Sequence, residues 1–162
     1  MEIKLVPVKP DEKSTLSNLY QLYHYDFSEF TNQDINKDGR YEVNIDFFWE
    51  DDHRWKPFLI EVSGSLAGFL IVLLENFDTD PDPTHVIYDF MIIKKFRRNG
   101  IGYAAAIKAF ELYEANWKIA QIENNTPAIS FWRKVIKDFT EDNYIERFRD
   151  DVKKYVQEFS TK

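Results

Sequence analysis

The sequence predicts one mixed α/β domain in which helices cover a sheet built largely from consecutive strands. Three observations carry that prediction. The chain is 162 residues long, the size of a single domain, and shows no repeat, low-complexity tract or interdomain linker, so 1–162 reads as one unit. Its apolar periodicity switches repeatedly between strand spacing and helix spacing. The order of those segments is strand, helix, hairpin, strand, helix, strand, helix.

Residues 2–8 alternate Ile3, Leu5 and Pro7 with Lys4, Val6 and Val8, an edge-type strand. Residues 11–30 bring Leu16, Leu19, Tyr20, Tyr23 and Phe27 to helical spacing, with Ser14 or Ser17 available as a cap. Residues 31–39 form a polar turn region. Residues 58–62 and 66–75 are strands joined by the tight turn Ser63–Gly64, a hairpin. Asp78, Asp80, Pro81, Asp82 and Pro83 make 76–84 a loop. A long apolar strand follows at 85–93, an alanine-bearing helix at 100–114, a strand at 117–123, and a helix at 126–137 with Pro127 in its first turn. From 139 onward the pattern is ambiguous, and a strand followed by a terminal helix is the reading.

Composition narrows the function classes. With 44% hydrophobic and 17% aromatic residues the chain is not disordered. It has no cysteine, which excludes disulfides, thiolate metal sites and a cysteine nucleophile and fits a reducing compartment. The first ten residues lack the apolar core of a signal peptide, and no apolar run approaches the ~20 residues of a membrane span. A cytoplasmic location with no membrane partner is therefore expected. A net charge of −7 argues against nucleic acid and favours cationic small molecules or basic partners.

The densest chemical signal is Lys94-Lys95-Phe96-Arg97-Arg98-Asn99-Gly100-Ile101-Gly102, between the most apolar strand and the alanine-bearing helix. Glycines at a helix start leave backbone N–H groups pointing outward, where the helix carries partial positive charge. Four basic residues within five positions add charge-assisted contacts, so the pattern fits a polyphosphate. A solvated basic turn with glycines kept for packing is the alternative. No G-x-x-x-x-G-K-[ST] string is present, and the glycine spacing does not match a dinucleotide fingerprint.

Arg97-x-x-Gly100-x-Gly102 resembles the acyl-CoA motif of the GNAT acetyltransferases, and Asn125-x-x-Ala128-x-x-Phe131-Trp132 resembles that family's following strand-to-helix segment. The likeness runs from about 59 to 139 and is poor in the N-terminal third. It implies the GNAT acyl-CoA N-acyltransferase fold, a central, mostly antiparallel sheet flanked by helices, and acetyl-CoA as co-substrate with no metal. It further implies that the backbone of Phe90, Met91 and Ile92 runs along the pantetheine. The turn residues Arg97, Arg98, Asn99, Gly100, Ile101, Gly102 and Tyr103 hold the pyrophosphate. Asn125 lies near the pantetheine arm where two parallel strands splay. The acyl group then passes directly to an amine, with amides at a strand bulge polarising the thioester carbonyl.

The family often places a tyrosine acid where this chain has Trp132, whose indole is no practical proton donor. Trp132 is read as core or cofactor-wall packing, Tyr144 as a substitute acid. An acyl-CoA-binding or sensing module that has lost turnover is the rival function. For the base, Asp89 stands in an otherwise apolar strand; either it is paired with a neighbouring helix or it acts in catalysis. Glu75 reads as a polar strand end.

Between His24 and Asp52 nine carboxylates (Asp26, Glu29, Asp34, Asp38, Glu42, Asp46, Glu50, Asp51, Asp52) face two cations, Lys37 and Arg40. Asp26 and Glu29, three apart on an expected helix, are candidate contacts for a cationic amine acceptor, small molecule or peptide; a solvated acidic surface is the alternative. His24 and His53 read as surface or packing residues. Asp34-x-Asn36-x-Asp38-Gly39 copies half of a calcium loop, but Ile45 stands where its glutamate belongs, so an Asx-rich turn is expected. Monomer and homodimer are both open.

Overall fold

The computed structural model describes residues 1–50 and 53–162. Strand β1 (Ile3–Pro7) leads through a 3-10 turn into helix α1 (Lys13–Phe27); strands β2 (Trp55–Val62), β3 (Ser65–Glu75) and β4 (Thr84–Ile92) follow. Helix α2 (Ile101–Leu112), strand β5 (Asn116–Ile122), helix α3 (Thr126–Thr140) and strands β6 (Ile145–Arg149) and β7 (Lys154–Ser160) complete the described chain. One seven-stranded sheet runs in the order β1-β2-β3-β4-β5-β7-β6. Every neighbouring pair is antiparallel except β4 and β5.

The hairpin turn between β2 and β3 forms as expected: Ser63 (φ 49°) and Gly64 (φ 84°) both take the left-handed conformation that matches strand twist. Alternation then divides the core between the two faces of the sheet. Leu59, Phe69, Ile71 and Met91 pack under Leu16, Leu19 and Tyr20 of α1. Ile60, Leu70, Val72 and Trp117 pack on the other face under α2 and α3. Ala105, Ala106 and Ala109 have no exposed surface, so α2 approaches the sheet closely.

Two expectations are corrected. Residues 11–30 do not form one helix; Pro10–Glu12 is a 3-10 turn and α1 stops at Phe27. The C-terminus holds no helix but the hairpin β6–β7, with β7 paired to β5 from Asn116↔Ser160 to Ile122↔Lys154. The apolar alternation of β7 is interrupted by Gln157, fully buried, whose amide exchanges hydrogen bonds of 2.7 and 3.0 Å with Gln121. A satisfied glutamine pair fills a core position that periodicity reads as surface.

Candidate functional site

Among the described residues, the only parallel contact in the sheet is short. β4 and β5 pair at His85↔Trp117 and Val86↔Lys118, and no further pairing follows. In β4 the register against β3 jumps from Ile87↔Val72 to Asp89↔Ile71, a bulge that leaves Tyr88 as the extra residue. The bulge breaks alternation: Ile87, Phe90 and Ile92 share the α2/α3 face, while Asp89 and Met91 serve the α1 face. Tyr88 rests against Trp55, whose packing is also with the α1 side. Beyond the bulge lies a cleft of about 320 Å³, lined among others by Tyr23, Asp89, Phe90, Asn125, Trp132 and Lys154.

Asp89 is gripped from α1. The Tyr20 hydroxyl donates to its Oδ2 at 2.6 Å and the Tyr23 hydroxyl to its Oδ1 at 2.9 Å. Tyr20 and Tyr23 stand three apart on one helix, so both hydroxyls reach a single carboxylate. Burial pushes the Asp89 pKa up to about 6; the tyrosine hydrogen bonds and the charge of Lys154 act against that rise. Burial first, and then the charge of Asp89, pushes both tyrosines far above their ordinary value, so they remain protonated donors. Of the two readings for Asp89, pairing with a helix is what its hydrogen bonds display, and it lines the cleft as well.

The turn after β4 runs through a 3-10 segment, Lys94–Phe96. Arg98 (φ 65°) and Gly100 (φ 76°) are both left-handed, a conformation that suits glycine and strains arginine. No side chain caps α2. Ala104 N–H reaches Gly100 O at 3.0 Å, and the amides of Ile101, Gly102 and Tyr103 precede the intrahelical ladder. Lys94, Lys95, Arg98 and Asn99 are exposed around them.

Arg97 departs from expectation. Its Nε donates to Ile92 O at 2.7 Å, and its guanidinium grips Asp26 through contacts of 3.3 and 2.8 Å. The residue that opens the acyl-CoA motif therefore ties the turn to α1, and its charge is spent inside the chain. The same pair corrects the acceptor reading of Asp26, whose carboxylate is engaged. Glu29 falls in the turn beyond the end of α1, so it shares no helical face with Asp26.

Gly102 has a packing role as well as a free amide. A Cβ there would meet the Phe131 ring at 3.3 Å and Ile92 Cγ1 at 3.4 Å, so this glycine seats α2 against α3. Gly100 by contrast faces open space, and its positive φ is what requires glycine. Ile101 is buried and anchors α2, and the Tyr103 hydroxyl donates to Asp138 of α3 at 3.1 Å.

Asn125 caps α3, its Oδ1 accepting from Ala128 N–H at 3.2 Å. Trp132 is buried against Phe90, Phe110 and Phe131, in line with a packing role, and it walls the cleft. Tyr144 lies elsewhere. It precedes Ile145, which pairs with Glu158 at the level of Lys118, near the start of β5, whereas the cleft opens off the end of β5. Tyr144 is not among the residues that line the cleft.

Two more carboxylates of the acidic segment have partners within the chain. Asp46 pairs with Lys13 at 3.3 Å, and Glu42 accepts from Asn36 Nδ2 at 3.0 Å. Asn36 Oδ1 accepts from the amides of Asp38 (2.9 Å) and Arg40 (3.1 Å), the expected Asx turn closed by Gly39. Asp51 and Asp52 lie outside the described residues. Glu75 pairs with Lys118 at 2.6 Å. The His24 ring lies among Tyr20, Tyr23 and Tyr41, and burial lowers its pKa. No helix among the described residues is long and apolar enough to cross a membrane.

Sequence reasoning missed Tyr20, Tyr23 and Lys154 as site residues. The tyrosines looked like core at helical spacing, and their partner is more than sixty positions away.

Comparison with known proteins agrees with this fold. A family model described as the acetyltransferase (GNAT) family matches residues 17–136. An acetyltransferase from Thermus thermophilus superposes with a TM-score of 0.70 at 14% identity, covering 99% of this chain and 97% of that one. The PaiA N-acetyltransferase of Thermoplasma acidophilum, in complex with coenzyme A, gives 0.63 at 10% identity and 99% of both chains. An aminoglycoside acetyltransferase from an uncultured soil metagenomic sample, in complex with sisomicin, gives 0.60 at 16% identity, with 82% and 86% covered. No curated protein matches the sequence.

Proposed function

We propose, from the premise that this chain belongs to the acetyltransferase (GNAT) family, that it acetylates a small-molecule or peptide amine with Asp89 as the group that takes the amine's proton. As a member of that family it is an acyl-CoA-dependent N-acetyltransferase with acetyl-CoA as its co-substrate. The observation that carries the role of Asp89 is its place: on the bulged strand, lining the splay cleft, held by two hydroxyls.

The residues present suit acetyl-CoA. The amides of Ile101, Gly102 and Tyr103, the left-handed backbone at Arg98 and Gly100, and the exposed Lys94, Lys95 and Arg98 form a cradle for a pyrophosphate. Phe90, Asn125, Ala128 and Trp132 wall the cleft where the pantetheine arm belongs. Acetyl-CoA, when bound, supplies an activated carbonyl carbon and a thiolate leaving group.

The chain's own residues do the rest. A bulge leaves its extra residue outside the ladder, so the backbone around Tyr88 can donate to the oxyanion that develops on the carbonyl. Asp89, with a pKa of about 6, is ionised at neutral pH yet more basic than an ordinary carboxylate, which matches a general base. It attracts the ammonium form of the acceptor and accepts its proton. The freed nitrogen would bond the acyl carbon as the carbon–sulfur bond breaks, and the second proton that the nitrogen must shed would pass through water in the open cleft to the departing sulfur. The hydroxyls of Tyr20 and Tyr23 hold the carboxylate in place through that sequence.

Thioester consumption and acetyl-amine formation across a panel of amines test the reading, with thermal unfolding in the presence of CoA as the binding control. Acetylation of an amine with a CoA-dependent rise in Tm is expected. CoA binding without acetyl transfer to any amine contradicts it.

A further inference from the structure

Only two charged side chains line the splay cleft among the described residues, and they are opposite in sign: Asp89 and Lys154. Lys154 opens β7 level with Ile122, at the end of β5 where the cleft widens. Its neighbour Tyr155 faces α3, with the Arg133 guanidinium 4.9 Å from its ring centroid, and Phe159 packs against Phe110 on the same face. Alternation therefore turns Lys154 to the opposite face, the one that Asp89 occupies. Lys154 is near enough to favour the charged form of Asp89, but the two form no ion pair within 4 Å.

The other cations of β5 and of the β6–β7 hairpin, and Arg133 of α3, are matched. Lys118 pairs with Glu75, Arg133 with Glu146, Arg147 with Glu158, Arg149 with Asp151 and Lys153 with Asp150. Lys154 is half-buried and has no carboxylate partner among the described residues. A partly desolvated ammonium without a counter-charge is unfavourable until an anion reaches it. The cleft that holds the proposed base thus offers both a carboxylate and an ammonium, with no ion pair between them.

We propose that the acceptor is a zwitterion, an amine with a carboxylate close by, as in an α-amino acid, and that Lys154 binds its carboxylate while Asp89 faces its ammonium. The inference rests on the acetylation of an amine at this cleft and goes beyond it by naming the acceptor class. Lys154 also selects against polycations, because an extended polyamine brings positive charge towards it.

The test is a matched panel in which each α-amino acid is compared with its carboxamide and with its decarboxylated amine, at saturating acetyl-CoA. The expected result is kcat/KM at least tenfold higher for the acid than for either partner. Lys154→Met should lower that ratio at least tenfold, and Lys154→Arg should keep it, which a merely structural lysine would not do. Equal or better turnover of the decarboxylated amines, or an unchanged ratio in Lys154→Met, overturns the zwitterion while leaving amine acetylation standing. Absence of transfer to every member, with CoA still bound, overturns both.

Discussion

The turn between β4 and α2 packs Lys94, Lys95, Arg97 and Arg98 into five positions, and residues 24–50 carry seven carboxylates; in sequence each is a conspicuous block of charge. Folding treats them differently. In the turn, Arg98 and Gly100 are held left-handed, α2 starts without a side-chain cap, and three cations stay exposed around the first amides. In the acidic segment Asp46 closes on Lys13, Glu42 on Asn36, and the 34–40 stretch on the side chain of Asn36. Asp26, Glu42 and Asp46 find partners within the chain, whereas backbone donors at a helix start have none there to find. The blocks meet at Asp26–Arg97, where one charge from each is used to fasten α1 to the turn.

That contrast can be broken at several points. Asp89→Asn has the largest expected effect: a loss of about 10²–10⁴ in kcat/KM for the amine, the range for a removed general base. Because the variant removes a charge whose burial raised its pKa, thermal unfolding at pH 7 should find it no less stable than the parent. A comparable loss from Glu29→Gln, with Asp89→Asn still active, would move the chemistry to the acidic segment.

Gly100→Val comes next. A β-branched residue at φ 76° is strained by roughly 1–3 kcal/mol and adds bulk on the open side of the turn. Calorimetry should record a CoA Kd raised more than tenfold. Gly102→Val should instead lower Tm, because its side chain meets Phe131. Equal effects of the two on CoA affinity would erase the distinction between an anion-facing and a packing glycine.

Asp26→Asn should raise the KM for acetyl-CoA a few-fold and leave the KM for the amine unchanged, since Asp26 acts on the turn through Arg97. The pair is about one-third exposed on each side, which keeps the expected effect modest. A change confined to the amine KM would return Asp26 to the acceptor site. Glu29→Gln, beyond the end of α1, should move neither constant.

What could be read from sequence was what is local. The turn and its glycines and the Ser63–Gly64 hairpin each lie within a few consecutive residues, so spacing reveals them. Asp89 stood out as a carboxylate in an apolar strand, but its partners Tyr20 and Tyr23 lie across the sheet and look like ordinary core residues of an amphipathic helix. Arg97 carries the motif, yet nothing near it announces that Asp26 holds it. Lys154 was hidden because the C-terminal hairpin was unreadable: Gln157 occupies a core position, and only pairing with Gln121 makes that tolerable. Tyr144 was nominated by residue type alone, and the strand order puts it at the wrong end of β5.

The pH dependence of kcat/KM in the parent and in Tyr23→Phe tests most directly whether Asp89 is the base. The groups that bear on Asp89 are Tyr20 and Tyr23 from α1, Tyr88 on its own strand, and Lys154 from β7. Only the ionised carboxylate can accept the amine's proton, so activity should rise with pH through a limb near 6. The Tyr23 hydrogen bond lowers that pKa, so its removal should shift the limb to higher pH. A parent limb near 6 that moves upward in Tyr23→Phe is the predicted result. A limb that stays in place when the hydroxyl is removed, or that persists in Asp89→Asn, contradicts it.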